Sequence, residues 1–551
     1  MVDWLGGDAV HAMFRGDRVT AGAERTSRKD RMAVEAAKAR EHGRGTRLSV
    51  VPRQLVEGVD ELRRRANTCL NGSRRAELGQ FLTPPEVASF MSSMFLVRRQ
   101  EIRLLDPGAG VGSLTAAFVS RMLDRQPPPR SITVVAYEVD PTLADLLEQS
   151  LGLCRQACAR MHIRFEGEVR RVDYLADRSS AEAALFAQDE EPFDCVIMNP
   201  PYRKIHSQSA SRRYLRNAGI ESSNIYPGFL LLAARQLRVG GELVSINPRS
   251  FCNGPYFRPF RRELLHLVAL RRVHVFESRS EVFKDADVLQ ENVIVHAVRR
   301  SDRPKSARVS CTTATGRVVS RLIPYSHIVS PDDPDAVVHI TVDAQGEEAL
   351  DAMRNLECTL DDLGLQVSTG RVVDFRARAY LRKEPESDTV PLVYPAHFSR
   401  GFVEWPNGNT RKPNAIVADP RVEDQLVPAG FYVLTKRFSA KEERRRVVAA
   451  VYDPDRVPAR LIGFENHLNY FHRRGGGLPE PLARGLAVFL NSTLVDQYFR
   501  QFSGHTQVNA ADLRRLRYPN TEQLSGLARW CEDLGDQALI DSAMNHLLQS
   551  V

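Results

Sequence analysis

Residues 193–204, FDCVIMNPPYRK, place an amide, two prolines and a phenol ring directly after a hydrophobic run that reads as a buried strand. Asn199 brings a side-chain carbonyl and Pro200 a backbone carbonyl, while Pro200 and Pro201 stiffen the chain that carries them. Two acceptors held at the hydrogens of a conjugated amine favour a pyramidal nitrogen, which frees its lone pair for attack on an electrophile. Tyr202 adds a face on which an extruded nucleobase can stack. Direct in-line displacement needs neither a covalent intermediate nor a metal. The plain structural alternative is a rigid turn with a packed tyrosine.

A second constellation lies upstream. LLDPGAGVGSLTAAF ends a strand at Asp106, turns through Pro107, Gly108, Ala109 and Gly110, passes Gly112 and opens a helix. Glycines let a backbone approach a ligand closely, and a helix N-terminus offers free N–H groups. Glu138, followed by Val139, stands 32 residues after Asp106 at the end of the next strand, where an acid can bind two ribose hydroxyls. A third strand is expected to end at Asp173-Tyr174, an acceptor for an adenine amino group beside a ring. The spacing G-x-G-x-G departs from the dinucleotide fingerprint. It resembles the S-adenosylmethionine turn of class I methyltransferases.

The elements that must position these groups alternate along residues 101–298: IRLLDP, SLTAAFVSRML, ITVVAYEVD, PTLADLLEQSLGL, FDCVIMNPPY, GFLLLAARQL, GELVSINP, LRRVHVFE, NVIVHAV. Strand and helix in turn predict an α/β fold with a mostly parallel sheet covered on both faces, and ligands bind beyond the carboxyl ends of such strands. Upstream, a helix is expected from Val51 and a second one opened by Pro84-Pro85. Residues 1–47 read as a basic, solvated arm, residues 48–300 as the alternating domain, and residues 301–551 as a second, mixed α/β domain joined near residues 299–330. The 551 residues are 43% hydrophobic and 26% charged with a net charge of +8, the balance of a globular protein with a cationic surface suited to phosphates. The eight cysteines form no C-x-x-C pair, which argues against a zinc site or a disulfide framework; no metal is expected. No apolar run is long enough for a membrane span and no signal pattern opens the chain, so the expected location is the bacterial cytoplasm.

Together these residues resemble the γ-class N6-adenine DNA methyltransferases of bacterial restriction-modification systems, TaqI-like in layout, over about residues 75–300. GQFLTPPEVASFM looks like motif X of that family, which implies that Phe81, Thr83 and Pro84 help wall the cofactor. DPGAGVG, the Glu138 segment, Asp173-Tyr174 and NPPY look like motifs I to IV. SRSEVFKDADVLQENVIVHAV is similar to motif VIII, implying that Phe283 sandwiches the flipped adenine opposite Tyr202. The resemblance implies a seven-stranded class I methyltransferase sheet, S-adenosyl-L-methionine as cofactor, and a C-terminal target-recognition domain acting on double-stranded DNA. SGHTQVNAADLRRLRYP resembles a segment near the end of PstI- and XhoI-type modification methylases. Gln507 and Asn509 there, Asn466, Tyr470, Arg473 and Arg474 in an expected DNA-facing loop, and Arg203, Lys204 and Arg437 are the expected DNA contacts. No P-D…E-x-K nuclease cluster stands out, so a cognate endonuclease is expected as a separately encoded partner, and the methylase as a monomer. The rivals that also use N-P-P-Y are a methyltransferase of protein glutamine side chains and an RNA base methyltransferase. A specificity subunit that keeps the fold without turnover is the non-enzymatic alternative.

Overall fold

All six residues of the strand Phe193–Met198 are buried. Such a strand, covered on both faces, reads as a nearly continuous apolar run, interrupted only by Asp194, which is buried and paired with Arg99 and Arg238. This strand is β4 of the main sheet. The computed structural model describes residues 50–69, 82–179, 191–206, 208–277, 291–300, 302–440, 442–474, 476–503, 506–531 and 533–550. The expected N-terminal arm, Phe81 and Phe283 lie outside these residues.

The other strands of that sheet are β1 (Glu101–Pro107), β2 (Ser131–Tyr137), β3 (Arg164–Arg170), β5 (Leu237–Pro248), β6 (Val268–Phe276), β7 (Asn292–Arg299), β8 (Ser306–Thr312) and β9 (Val318–Pro324). Their order is β3-β2-β1-β4-β5-β7-β6-β8-β9. Strands β3 to β5 run parallel across the sheet, and β7 is antiparallel to both β5 and β6. The first seven positions are those of the class I methyltransferase fold. The sheet nevertheless has nine strands where seven were expected. β8 pairs parallel with β6, and β9 returns antiparallel on β8, so the stretch taken for an interdomain joint is sheet edge. Edge strands expose alternate residues, and in β9 every other residue is exposed while those between are half-buried or, at Ile323, buried, which diluted its apolar signal.

Helices α1 (Val50–Cys69) and α2 (Pro85–Ser93) begin where the sequence placed them. With α3 (Ser113–Leu123) and α4 (Pro141–Arg160) they cover one face, where Leu55, Met91, Phe118 and Leu147 pack on Leu104, Val134 and Ile197. Asp140 caps α4 by accepting from the Thr142 and Leu143 N–H groups, and Pro141 supplies a preset φ at its first position. The short α5 (Tyr174–Arg178), α6 (Ala210–Asn217), α7 (Tyr226–Gln236) and α8 (Arg258–Leu267) bring Tyr174, Leu215, Leu230 and Phe260 against Val196, Met198 and Leu243 on the opposite face. Cys154, Cys158 and Cys195 are core residues.

Beyond the main sheet the chain forms a six-stranded and a five-stranded sheet and finishes in helices, beginning with Glu480–Leu490 directly after Pro479. The Arg249 guanidinium, just past β5, donates to the Arg500 and Gln501 carbonyls, and Arg515 pairs with Asp335 at 2.6 Å. The described residues from Val51 onward cluster as one compact unit. Among the described residues no helix is long and apolar enough to cross a membrane, and no group of acids, histidines and cysteines is arranged to hold a metal.

Candidate active site

Parallel pairing in register sets three strand ends side by side. Pro107 of β1 lies opposite Tyr137 of β2, and Tyr137 opposite Arg170 of β3. The pair Leu105 and Val196 sets β1 against β4, so the turn after Pro107 emerges beside the residue after Met198. Residues far apart in sequence thereby meet at one edge, Gly108 with Asn199 and both with Glu138. A cleft opens there, lined by Gly108, Gly110, Glu138, Val139, Asp173, Tyr174, Asn199 and Pro201.

The glycine turn is built by the backbone. Gly108 and Ala109 N–H groups both donate to the Tyr137 carbonyl, at 3.0 and 2.8 Å. Gly108, Gly110 and Gly112 all have positive φ, which other residues enter only with strain. A Cβ on Gly110 would come within 3.0 Å of Leu82 Cδ2. The Glu138 carboxylate clamps the turn from the far side: Oε2 accepts from Gly110 N–H at 2.9 Å and Oε1 from Asp140 N–H at 2.8 Å. Burial pushes the Glu138 carboxyl up, and these two N–H donors pull it back.

Asp106 is placed differently from expectation. It is fully buried beneath the turn with Pro107, and its Oδ2 accepts from Thr115 Oγ1 at 2.7 Å, tying the strand end to α3. Burial drives its carboxyl up to about 7, the Thr115 hydrogen bond opposes this, and the Glu138 charge adds to the rise. Asp106 therefore braces the turn and does not line the cleft.

β3 ends at Arg170, three residues before the expected position, and Asp173 is the N-cap of α5. One of its oxygens, Oδ1, takes the Leu175 and Ala176 N–H groups, so a capping preference and a cleft-lining carboxylate coincide. Tyr174 is held through its hydroxyl, which accepts from the Gln236 amide at 2.6 Å, and its ring stands edge-on to Tyr137 with centroids 5.0 Å apart. The cleft also has apolar walls that the sequence did not single out: Leu82, Val172, Ile225 and Phe229. Val139 and Val172 are more than two-fifths exposed at its rim, where large aliphatic groups gain nothing unless an apolar surface covers them. A valine directly before the helix-capping Asp173 was the available signal for Val172.

The N-P-P-Y segment is fastened at several points. The Asn199 side-chain NH2 donates to Thr83 Oγ1 at 3.1 Å, linking it to the chain just ahead of α2. Thr83 is buried, and Pro84 next to it is the N-cap of α2. Pro200 is buried and Pro201 half-buried. The Tyr202 hydroxyl donates to the Ile246 carbonyl of β5 at 2.8 Å, and its ring meets Tyr226 edge-on at 6.2 Å. Beyond it the chain zips onto the approach to α7: Ile225 N–H donates to the Arg203 carbonyl, Ile205 N–H to Ser223, and Lys204 bridges Asn224. Arg203 itself lines the cleft mouth and Lys204 is exposed beside it.

The expected DNA-facing loop around residues 466–477 is corrected. Its middle, Leu468–His472, is a strand, and Tyr470 is a core residue in contact with Tyr432 and Phe464. The alternation Leu-Asn-Tyr-Phe-His reads equally as loop or short buried strand until its partners are known. Asn466 therefore sits at one end of the strand, and Arg473 and Arg474 at the other. Asn509 is the N-cap of the helix Ala510–Arg514, its N–H donating to Asp512, while Gln507 is half-buried beside Phe438.

The fold and the cleft at its strand ends define a class I methyltransferase. Comparison with known proteins narrows the class. Residues 154–283 match the family model described as Eco57I restriction-modification methylase. The chain is 42% identical over 495 residues to the type II methyltransferase M.PstI of Providencia stuartii, covering 89% of this chain and 97% of that one. It is 40% identical over 505 residues to type II methyltransferase M.BsuBI of Bacillus subtilis, covering 90% and 98%. The solved DrdV–DNA complex shares 14% identity at a TM-score of 0.46 over 92% of this chain and 61% of that one, a likeness too loose to carry an argument. The chain belongs to the type II methyltransferases of restriction-modification systems.

Proposed function

We propose that this methyltransferase moves a methyl group from S-adenosyl-L-methionine to the N6 amino group of an adenine turned out of double-stranded DNA, as the modification activity of a restriction-modification system. The observation that carries this reading is the Asn199 amide, anchored through its nitrogen to Thr83 at the mouth of the cleft. With the nitrogen engaged by Thr83, Oδ1 is the atom we propose meets the substrate amine.

The residues present suit the cofactor. The Gly108–Gly110 turn, where a Cβ at Gly110 would crowd Leu82 Cδ2 at 3.0 Å, would take the methionine portion, Glu138 the ribose, and Asp173 the adenine amino group, with Val139, Val172 and Phe229 against the adenine faces. When bound, S-adenosylmethionine supplies a sulfonium-activated methyl group. Asn199 Oδ1 and the Pro200 carbonyl accept from the target N6 hydrogens and turn its lone pair toward that carbon. Pro200 and Pro201 keep both acceptors from swinging away. The same two acceptors, Asn199 Oδ1 and the Pro200 carbonyl, would hold the N6 hydrogens through the transfer and pass the surplus proton to water. Tyr202, locked by Ile246, offers its ring face to the base, and Phe283 is the partner proposed for the opposite face.

The chain beyond β9 (Val318–Pro324) is proposed to supply target recognition, with a separately encoded endonuclease as functional partner and a monomer as the working unit in the bacterial cytoplasm. Expression in a methylation-free host, followed by base-resolution mapping of methylated bases, tests the reading. It predicts N6-methyladenine at one short sequence; 5-methylcytosine, or methyl groups only on protein or RNA, would overturn it.

A further inference from the structure

Three segments distant in sequence meet at one end of the six-stranded sheet. The end of the strand Tyr432–Lys436 continues through Arg437 and Phe438, the turn Glu465-Asn466-His467 precedes the strand Leu468–His472, and Thr506 and Gln507 precede the helix Ala510–Arg514. Arg437 N–H donates to the His467 carbonyl and Arg437 Nη1 to the Asn466 carbonyl. Val508 N–H donates to Arg437, Ser439 N–H to Thr506, and Phe438 bridges Gln507. This end of the sheet carries an exposed aromatic ring, Phe438, 42% exposed.

Beside that ring stands a histidine with an unusual anchor. Glu465 has no solvent exposure, yet both carboxylate oxygens serve His467: Oε1 meets Nδ1, and Oε2 accepts the His467 N–H at 2.9 Å. The His467 side chain is 49% exposed, with its ring 5.1 Å from the Phe438 ring. A buried carboxylate is costly, and immobilising a side chain that is half in water returns little stability. Such a pair makes sense where the imidazole must be held ready for something outside. With Nδ1 facing a carboxylate and carrying its hydrogen there, Nε2 is the ring nitrogen left for a partner.

We propose that His467, oriented by Glu465 and flanked by Phe438 and Gln507, is a base-reading edge for duplex DNA, with His467 Nε2 meeting a base edge in the major groove. This rests on the DNA-methyltransferase reading and adds to it the residues that choose the sequence. The chemistry at this end matches a groove: Lys436 and Arg437 provide cations for the flanking phosphates, the Phe438 ring provides an apolar surface for a thymine methyl, and the Gln507 amide can donate and accept together. The only acid in the set, Glu465, is buried under its histidine, so the face turned outward is cationic and polar.

The test is methylation in vitro of a randomised duplex library, with methylated sites read by sequencing, for the wild-type chain and for His467→Ala, Glu465→Gln and Phe438→Ala. His467→Ala and Glu465→Gln should both lose discrimination at one and the same base pair of the recognised sequence, by about ten- to a hundredfold, and Phe438→Ala should relax that pair or its neighbour. A merely structural role would lower the rate on all sites and leave the sequence preference as it was; that result, in any variant that remains folded by its thermal midpoint, overturns the proposal. Phe438 is exposed, so its variant stays informative even if the Glu465 variant fails to fold. A wild-type chain that methylates no duplex would defeat the functional reading itself, whereas one with a defined site and variants of unchanged preference would defeat only this inference.

Discussion

The side-chain nitrogen of Asn199 donates to Thr83 Oγ1 at 3.1 Å, across 116 residues of sequence. The amide at the end of β4 is thus oriented by the residue that precedes the N-cap of α2. Replacing Thr83 with Val keeps the shape and removes the acceptor. One neutral hydrogen bond is worth about 1 kcal/mol, so kcat should fall roughly fivefold while KM for cofactor and DNA stays put, and Thr83→Ser should restore most of it. A loss confined to KM would mean that Thr83 serves cofactor binding alone.

Asn199→Ala removes the acceptor itself. Methyl transfer should drop below detection while cofactor affinity, measured by calorimetry, changes little, because the rest of the cleft lining is untouched. Turnover within about tenfold of wild type would refute the acceptor role.

Tyr202 has two separable parts. Tyr202→Phe loses the bond to the Ile246 carbonyl but keeps the ring, and should cost only a few-fold. Tyr202→Ala loses the stacking face, worth about 1–3 kcal/mol per base. The fluorescence rise of 2-aminopurine at the target position should shrink with Ala and persist with Phe; equal behaviour of the two variants would assign the role to the hydroxyl.

Gly110 combines a φ of +57° with Leu82 Cδ2 only 3.0 Å from where a Cβ would lie. Gly110→Ala meets a left-handed penalty of about 1–2 kcal/mol and pushes Leu82 at the cleft wall. Cofactor dissociation constants should rise about tenfold or more, given roughly 1.4 kcal/mol per decade. Unchanged affinity would place the cofactor away from this turn.

Burial lifts the Asp106 carboxyl to about 7. In the unfolded chain it ionises near 3.9, so between about pH 4 and pH 7 the folded protein keeps a proton that the unfolded chain has lost. Stability therefore falls as pH rises through that window, by at most on the order of 4 kcal/mol from this group. Asp106→Asn should flatten the decline in urea midpoint between pH 5 and pH 8; a variant whose midpoint declines in parallel with wild type would show that the proton is not held there.

The order of strands and helices through residue 299, the strand-end positions of Gly108, Glu138 and Asn199, and the class of chemistry were legible in the amino-acid sequence alone. Each is a local matter: apolar runs of strand length, glycines at a turn, prolines that stiffen two carbonyls. What only the tertiary structure decided is which groups share a space. Asp106 and Glu138 are both acids at strand ends, yet one is sealed beneath the turn and the other reaches the cleft, because side chains alternate in direction and burial depends on what packs above. Tyr470 is core for the same reason: its strand is sandwiched among others that lie dozens of residues away. Thr83 with Asn199, and Glu465 with His467 and Phe438, show the limit. Hydrogen bonds and ring contacts form between neighbours in space, and parallel register, a property of the whole sheet, brings such neighbours together.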